Sequence, residues 1–285
     1  MTLEEEPTLA DILGVGFVEL IEPSFADLPD IRFTSLLLEI DGDQARFLVD
    51  EESEPLAVAI HTGDEHWIAG CYHLRKANAS VVAFFEELGG DIYQEDRSVW
   101  EAAVRQYYSL QIARHITPSI DDLNPARTEM VHSLLTEMWG PGNGTTCLDF
   151  CCGSGLGSVV LRDLGYSVLA CDIDVSLLSL GFSSGRLLLS ETMCVDATRA
   201  SSYISPTSAG LGLMFGEIHP FNSDIWEQIA RELVTLTDYS LITVGKKEEA
   251  ELIVRWVEPC GCSVEISENT RDPIYDRWVC RISRD

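Results

Sequence analysis

Lysine is nearly missing from this chain. Only Lys76, Lys246 and Lys247 occur, and with arginine the basic residues number 19 against 47 Asp and Glu, a formal net charge of −28. A partner held through phosphates must exchange its counterions for protein cations. Duplex DNA, long RNA and anionic lipid surfaces are therefore excluded as expected partners. The deficit is uneven. Residues 1–100 carry 22 acidic and 5 basic side chains (net −17), and the rest carries 25 and 14 (net −11). A basic protein or a small molecule stays open as a partner, and so does a high-salt cytoplasm, where such surfaces are common.

Other absences narrow the class further. No apolar run is long enough to span a bilayer, and the opening "MTLEEEPTLAD" has neither a basic region nor an apolar segment. No secretory signal is expected there, the expected location is cytoplasmic, and the sequons at Asn78 and Asn143 are coincidental. Paired C-x-x-C knuckles are lacking. The nine cysteines are odd in number and scattered, the pattern of buried thiols in a reducing compartment. "PCGC" (Cys260, Cys262) with Cys280 has no neighbouring histidine, and His61, His66 and His73 are not spaced as ligands, so no metal site is expected.

What is present is an ordinary globular composition, 46% hydrophobic over 285 residues, enough for one large domain or one domain with a smaller partner. The amino-terminal part reads as a small mixed α/β unit. "FTSLLLEIDGDQARFLVD" predicts two strands joined at Asp41-Gly42, and "PLAVAIHTGDEHWIAGCYHL" predicts a strand pair around Gly63-Asp64. "NASVVAFFEELGG" predicts a helix stopped by its two glycines. Helices follow in "SVWEAAVRQYYSLQIARHI", where Tyr107 and Tyr108 are expected either to close over a ligand or to form a buried aromatic face, and in "PARTEMVHSLLTEMW", opened by Pro125. "GPGNG" then breaks the chain.

Beyond Thr145 strands and helices alternate: "TTCLDFC", "LGSVVLRDLG", "YSVLACD", "VSLLSLGFSSGRLLL", "ETMCVDA", "AGLGLMFGEI", "SDIWEQIARELVTL", "YSLITVG" and "KKEEAELIVRWVE". "CSVEIS" and "DRWVCRIS" close the chain with no helix between them. This predicts a doubly wound, mostly parallel sheet with an antiparallel hairpin at one edge. The expected domains are a small acidic α/β domain over residues 1–97, connecting helices over 98–140, and a ligand-binding α/β domain over 141–285.

In doubly wound sheets the ligand lies beyond the carboxyl ends of the strands, where strand order reverses. The first such exit here is "CLDFCCGSGLGS", residues 147–158. Gly153 and Gly155 permit a tight turn and close approach of a ligand to backbone. Asp172 falls 17 residues after Gly155, at the end of the second strand, where a carboxylate can accept from two ribose hydroxyls. Asp196, 24 residues later, ends the third strand in "CVDA".

With these motifs the sequence resembles the class I S-adenosylmethionine-dependent methyltransferases, a Rossmann-like family with a seven-stranded sheet, over residues 125–285. "LDFCCGSG" is similar to the family's glycine loop, "LACDID" to its ribose motif, and "CVDA" to its adenine motif. "GLGLMFGEIHPF" is similar to its fourth strand and the loop lining the methyl-transfer site. The resemblance implies S-adenosylmethionine as cofactor, held at Asp149, Phe150, Cys151, Gly153, Gly155, Asp172, Ile173, Asp196, Ala197 and Gly216. It also implies Glu217 and His219 as the catalytic or substrate-contacting pair. The acceptor is expected to be a small molecule or a protein side chain, and the first domain to select substrate or build a homo-oligomer.

The sequence departs from the family in two places. Cys151 replaces the loop's first glycine, so the backbone there is expected to be less strained or slightly displaced. The Asp/Asn-Pro-Pro-aromatic signature of methylation on bases and glutamine is missing; only Pro220-Phe221 matches, and with the charge this argues against nucleic-acid methylation. Phe221 is expected either to wall the methyl site or to pack on the next helix. The alternative readings are a non-catalytic scaffold that keeps the fold and an NAD(P)-dependent oxidoreductase. The latter would want a third glycine where Ser158 stands, and would not predict Asp149 or the terminal hairpin.

Overall fold

In the computed structural model, which describes residues 6–284, the chain divides into two compact units between residues 110 and 111. Residues 1–5, part of the stretch read for a leader, and residue 285 lie outside the described residues. No described helix is long and apolar enough to cross a membrane.

The first unit comprises α1 (Leu9–Leu13), β1 (Phe17–Leu20), α2 (Arg32–Leu38), β2 (Gln44–Val49), β3 (Pro55–His61), β4 (His66–Cys71), α3 (Ala79–Leu88), β5 (Gly90–Gln94) and most of α4 (Arg97–His115). Its sheet runs β1-β4-β3-β2-β5. β3 is the centre, with Leu56, Ala57, Val58, Ala59 and Ile60 all fully buried, and it is antiparallel to both neighbours. The hairpin around Gly63-Asp64 forms as predicted, with Ile60 opposite Ile68. The one across Asp41-Gly42 does not, because its first arm is α2. Leucine favours helix, and Phe33, Thr34 and Leu37 bury themselves at helical spacing. Gly42 is needed for a different reason: a Cβ there would stand 2.3 Å from the Ile60 side chain.

α3 is capped by Asn78, whose side chain accepts from the Val81 amide at 3.1 Å, and it stops at Gly89 with φ +70°. β5, exposed and at the sheet edge, carries too little apolar alternation to be foreseen. Inside the unit Glu22 and Arg75 form a buried ion pair, with Glu22 also accepting from the Cys71 amide at 3.1 Å. Tyr108 donates to the Glu22 carbonyl at 2.8 Å and Tyr107 accepts from the Leu20 amide, so both tyrosines pack inside this unit.

The second unit begins in the last turn of α4. It comprises α5 (Pro125–Met138), β6 (Thr146–Phe150), α6 (Leu156–Asp163), β7 (Ser167–Asp172), α7 (Val175–Ser183), β8 (Thr192–Cys194), β9 (Thr207–Gly212), α8 (Ser223–Leu236), β10 (Thr237–Val244), α9 (Lys247–Val257), β11 (Cys262–Glu268) and β12 (Trp278–Arg284). The seven strands are ordered β11-β12-β10-β9-β6-β7-β8. All neighbours from β10 through β8 are parallel, while β12 is antiparallel to β10 and to β11. This is the doubly wound sheet with a closing hairpin that the alternation predicts. In the six-stranded dinucleotide-binding order the sixth strand lies beside the fifth; here β12 occupies that place.

Packing follows from periodicity. α8 buries Ile229, Ala230, Leu233 and Val234 along one stripe, and α9 buries Ala250, Ile253, Trp256 and Val257. Truncating a core leucine such as Leu233 to alanine is expected to cost about 2–5 kcal/mol. β6 lies between β7 and β9, so chain connections leave it in opposite directions. Its carboxyl end is the switch point of the sheet.

Candidate functional site

Residues 151–155 join β6 to α6 at that switch point. Cys151 has φ +55°, Gly153 φ +54° and Gly155 φ +88°, so three residues of this turn adopt the left-handed conformation. The expectation that backbone relaxes at Cys151 is corrected: the cysteine takes up the conformation a glycine would hold, at a steric cost of about 1–2 kcal/mol. The turn tolerates this because it is tied on both sides. Cys152 N–H donates to the Cys171 carbonyl at 3.0 Å, and Arg186 Nε donates to the Ser154 carbonyl at 2.9 Å.

The two loop glycines do different work. A Cβ on Gly155 would stand 2.7 Å from the Leu187 side chain, so that glycine lets α6 begin under a neighbouring segment. A Cβ on Gly153 would meet nothing nearer than Leu177 Cδ1 at 4.0 Å, so the surface above Gly153 is open. Its amide donates to Oδ2 of Asp172 at 2.8 Å, and Oδ1 of Asp172 accepts from Asp174 N–H at 2.8 Å. Burial raises the Asp172 carboxyl above its ordinary range, opposed by these amide bonds. Each oxygen keeps a further lone pair for a ligand hydroxyl. Ile173 stands next to it with its side chain exposed.

The third strand is drawn to the second by Val195 N–H, which donates to the Asp172 carbonyl at 3.1 Å. Asp196 is exposed and caps the turn Ala197–Ser202, its Oδ1 accepting from the Thr198 amide at 2.9 Å and hydroxyl at 2.8 Å. Ala197 is buried behind it. Phe150 is fully buried, so only its backbone borders the loop.

Asp149 is buried as well, and its partner is helical: Ser158 Oγ donates to Asp149 Oδ2 at 2.6 Å. A Cβ on Gly157 would lie 2.6 Å from Asp149 Oδ1. The carboxylate therefore fastens the first turn of α6 to β6 and sets the pitch of the loop between them. Burial pushes its pKa up to about 6, against the Ser158 hydrogen bonds. Burial, with the nearby carboxylates Asp172 and Asp149, also pushes the Cys151 and Cys152 thiols well up, so both stay protonated and neither is a nucleophile at neutral pH. The nine cysteines form no disulfide, and no group of three or more His, Cys, Asp or Glu could hold a metal among the described residues.

On the other side of the switch point, β9 leads into a loop over residues 213–222. Phe215 folds back into the core against Trp226, ring centroids 5.1 Å apart. Gly212 and Gly216 accommodate this, since a Cβ on either would run into Phe215 or Trp226. The Gly216 amide is used locally, donating to the Met214 carbonyl at 2.6 Å. Beyond it Glu217 and His219 are both exposed and in contact, Oε2 to Nε2 at 3.2 Å. Asn222 braces them through its side chain: Oδ1 accepts from the His219 amide at 2.7 Å and Nδ2 donates to the Glu217 carbonyl at 3.0 Å. Glu249 of α9 accepts from the Ile218 amide at 3.2 Å. Phe221 is 99% exposed, and so neither walls a pocket nor packs on α8.

Sequence reasoning misses the buried chain behind this loop. Met214 N–H donates to Thr243 Oγ1 at 2.7 Å, Thr243 donates to Asp276 Oδ1 at 2.5 Å, and Asp276 Oδ2 accepts from Arg127 Nη2 at 2.9 Å. This chain ties β9, β10, the β11–β12 loop and α5 together. Met214 itself has φ +50°, a left-handed residue held by these bonds. The only sequence signal was the pair of acids in "RDPIYDRW", which reads as a solvated loop.

No protein-family profile matches the chain, and no curated protein does. Solved structures similar to it include magnesium protoporphyrin IX methyltransferase from Synechocystis PCC 6803 with bound SAM (17% identity, 65% of this chain and 97% of that one, TM-score 0.46). Another is a ribosomal protein L11 methylase from Lactobacillus delbrueckii subsp. bulgaricus (15% identity, 57% and 81% covered, TM-score 0.44). A third is precorrin-6y C5,15-methyltransferase from Geobacter metallireducens GS-15 (10% identity, 61% and 96% covered, TM-score 0.43).

Proposed function

We propose that this protein is an S-adenosylmethionine-dependent methyltransferase, with the second unit as its catalytic domain and a small molecule or protein side chain as acceptor. The observation that carries the reading is the closure of Asp172 on the Gly153 amide, at the switch point, beneath an open loop surface. A carboxylate at the second strand's end, with a spare lone pair on each oxygen, suits a ribose diol. The open face of Gly153 suits a ligand lying directly on backbone. The residues present fit the cofactor.

S-adenosylmethionine, when bound, supplies a methyl group already activated by its sulfonium. The chain's own work is to bind, orient and exclude water. Asp172 would hold the ribose, Asp196 and the Ala197 amide the adenine edge, and exposed Ile173 the face of the base. Gly153 and the loop backbone would take the methionine end. Asp149 acts from behind, by fixing the start of α6. Glu217 and His219, in hydrogen-bond contact in the loop after β9, would take a proton from an acceptor that carries one. The net charge of −28 supports an acceptor other than nucleic acid.

The test is methyl release. The full chain is incubated with S-adenosylmethionine and a broad metabolite extract, and formation of S-adenosylhomocysteine is followed. Turnover that falls at least tenfold in Glu217→Gln supports the enzyme; cofactor binding without turnover in any extract replaces it with the scaffold reading.

A further inference from the structure

A cleft of about 480 Å³ opens in the second unit at the end of the sheet opposite the switch point. Its floor is the start of β10 and the β11–β12 hairpin. Tyr239 stands opposite Ser283 and Ser283 opposite Ser263, while the next row runs Leu241, Arg281, Glu265. Residues directly across from one another, and two apart along a strand, share one face of the sheet. On that face Leu241 is buried in one core with Val131, Leu134 and Leu135 of α5. The helix ends at Met138, and beyond it the face is open, walled by Met138 and Trp139. The Trp139 ring meets Tyr239 edge to face, centroids 5.5 Å apart. An aromatic wall, a few polar groups and this volume are the ordinary makings of a small-molecule site.

The charges in the cleft are unspent. Elsewhere on the hairpin Arg277 pairs with Glu268 at 2.9 Å, and Arg284 donates to the Val234 and Thr235 carbonyls at 3.0 and 3.1 Å. Arg281 and Glu265 differ. They face each other across the strands and both line the cleft, yet among the described residues neither makes an ion pair or a side-chain hydrogen bond. Ser263 and Ser283, hydrogen-bonded to each other at 2.8 Å, complete the polar side. One guanidinium and one carboxylate, side by side and unpaired, leave the cleft with no net charge of its own.

We infer that this cleft binds a free α-amino acid with an aryl or large apolar side chain. Its carboxylate meets Arg281 as a planar, charge-assisted contact. Its ammonium meets Glu265, and its side chain lies against Trp139 and Tyr239. The two charges of such a ligand are separated by a single carbon, so they need a cation and an anion that are immediate neighbours, as this cross-strand pair is. In a peptide the two charges fall on different residues, and only one would be met. A zwitterion also carries no net charge, so the protein's −28 does not repel it as it repels a simple anion. The site lies at the end of the sheet away from Gly153 and Asp172, and its ligand is neither cofactor nor methyl acceptor.

Three probes of one shape test this on the full chain by NMR titration, following the Trp139 indole N–H: L-phenylalanine, 2-phenylethylamine and 3-phenylpropanoate. Phenylalanine is expected to bind roughly tenfold or more tightly than either of the others, the effect of one charge-assisted contact. Both charged side chains are exposed, so neutralising them leaves the fold intact. Arg281→Gln is expected to bring phenylalanine down to the amine's affinity, and Glu265→Gln to bring it down to the carboxylate's. Saturating S-adenosylhomocysteine, which itself has an amino-acid end, is expected to leave phenylalanine bound. Equal affinity for the three probes, no shift of Trp139, or a phenylalanine preference that survives both substitutions overturns the inference. Displacement by S-adenosylhomocysteine overturns it too, by placing the amino acid in the glycine loop. The methyltransferase reading stands or falls separately, on methyl release.

Discussion

The amide of Gly153 and the carboxylate of Asp172 meet at 2.8 Å, and that bond joins the exits of β6 and β7 into one rim. Both residues are placed by backbone: Gly153 by its φ of +54°, Asp172 by ending its strand. Gly153→Ala is expected to cost roughly 1 kcal/mol in stability through left-handed strain. It also puts a methyl into the open space above the loop. Calorimetry should therefore show S-adenosylmethionine affinity reduced at least tenfold, with a melting temperature only a few degrees lower.

Cys151 makes the opposite test. Because its backbone already holds φ +55°, Cys151→Gly is expected to relieve strain. The net gain is roughly 0.5–1 kcal/mol, since glycine's larger unfolded-state entropy offsets part of it. Cys151→Val is expected to destabilise, as a β-branched residue suits this conformation worst. Urea unfolding of the three proteins checks the order.

Asp149 gives a pH signature. Its carboxyl titrates near 6 when folded, raised by burial, and near 4 when unfolded. The folded state thus holds the proton more tightly, and stability falls as pH rises from about 4 to about 6, then levels. Two pKa units correspond to roughly 2–3 kcal/mol. Asp149→Asn keeps an acceptor for Ser158 and removes the titration. Its stability relative to the parent should rise across that pH window, measured by urea unfolding at intervals from pH 4 to 8.

The sequence made the second unit legible because parallel strands buried on both faces leave apolar runs separated by helices of clear period. The register of Gly153, Asp172 and Asp196 could be counted directly. Three features escaped. α2 reads as a strand because "FTSLLLEI" is apolar without a polar face to set its period, and burial of Leu37 decides for helix. The strain at Cys151 escaped because a sequence shows the missing glycine but not the Cys152–Cys171 and Arg186–Ser154 bonds that hold the turn in place without it. The Arg127–Asp276–Thr243 chain escaped because its members lie far apart in sequence and charged residues read as surface.

That chain is expected to be structural. Arg127→Met leaves the fully buried Asp276 without its cation, at a cost of about 3 kcal/mol or more. Adding Asp276→Leu removes the stranded charge and should recover part of the loss, a coupling read from a double-mutant cycle by urea unfolding.

The central claim is that Asp172 holds a cofactor ribose, and calorimetric titration of S-adenosylmethionine into the full chain tests it most directly. The parent protein should bind with measurable heat. Asp172→Ala, which also frees the Gly153 amide, should lose at least tenfold in affinity. No heat with the parent protein, or equal affinity in Asp172→Ala, would contradict it.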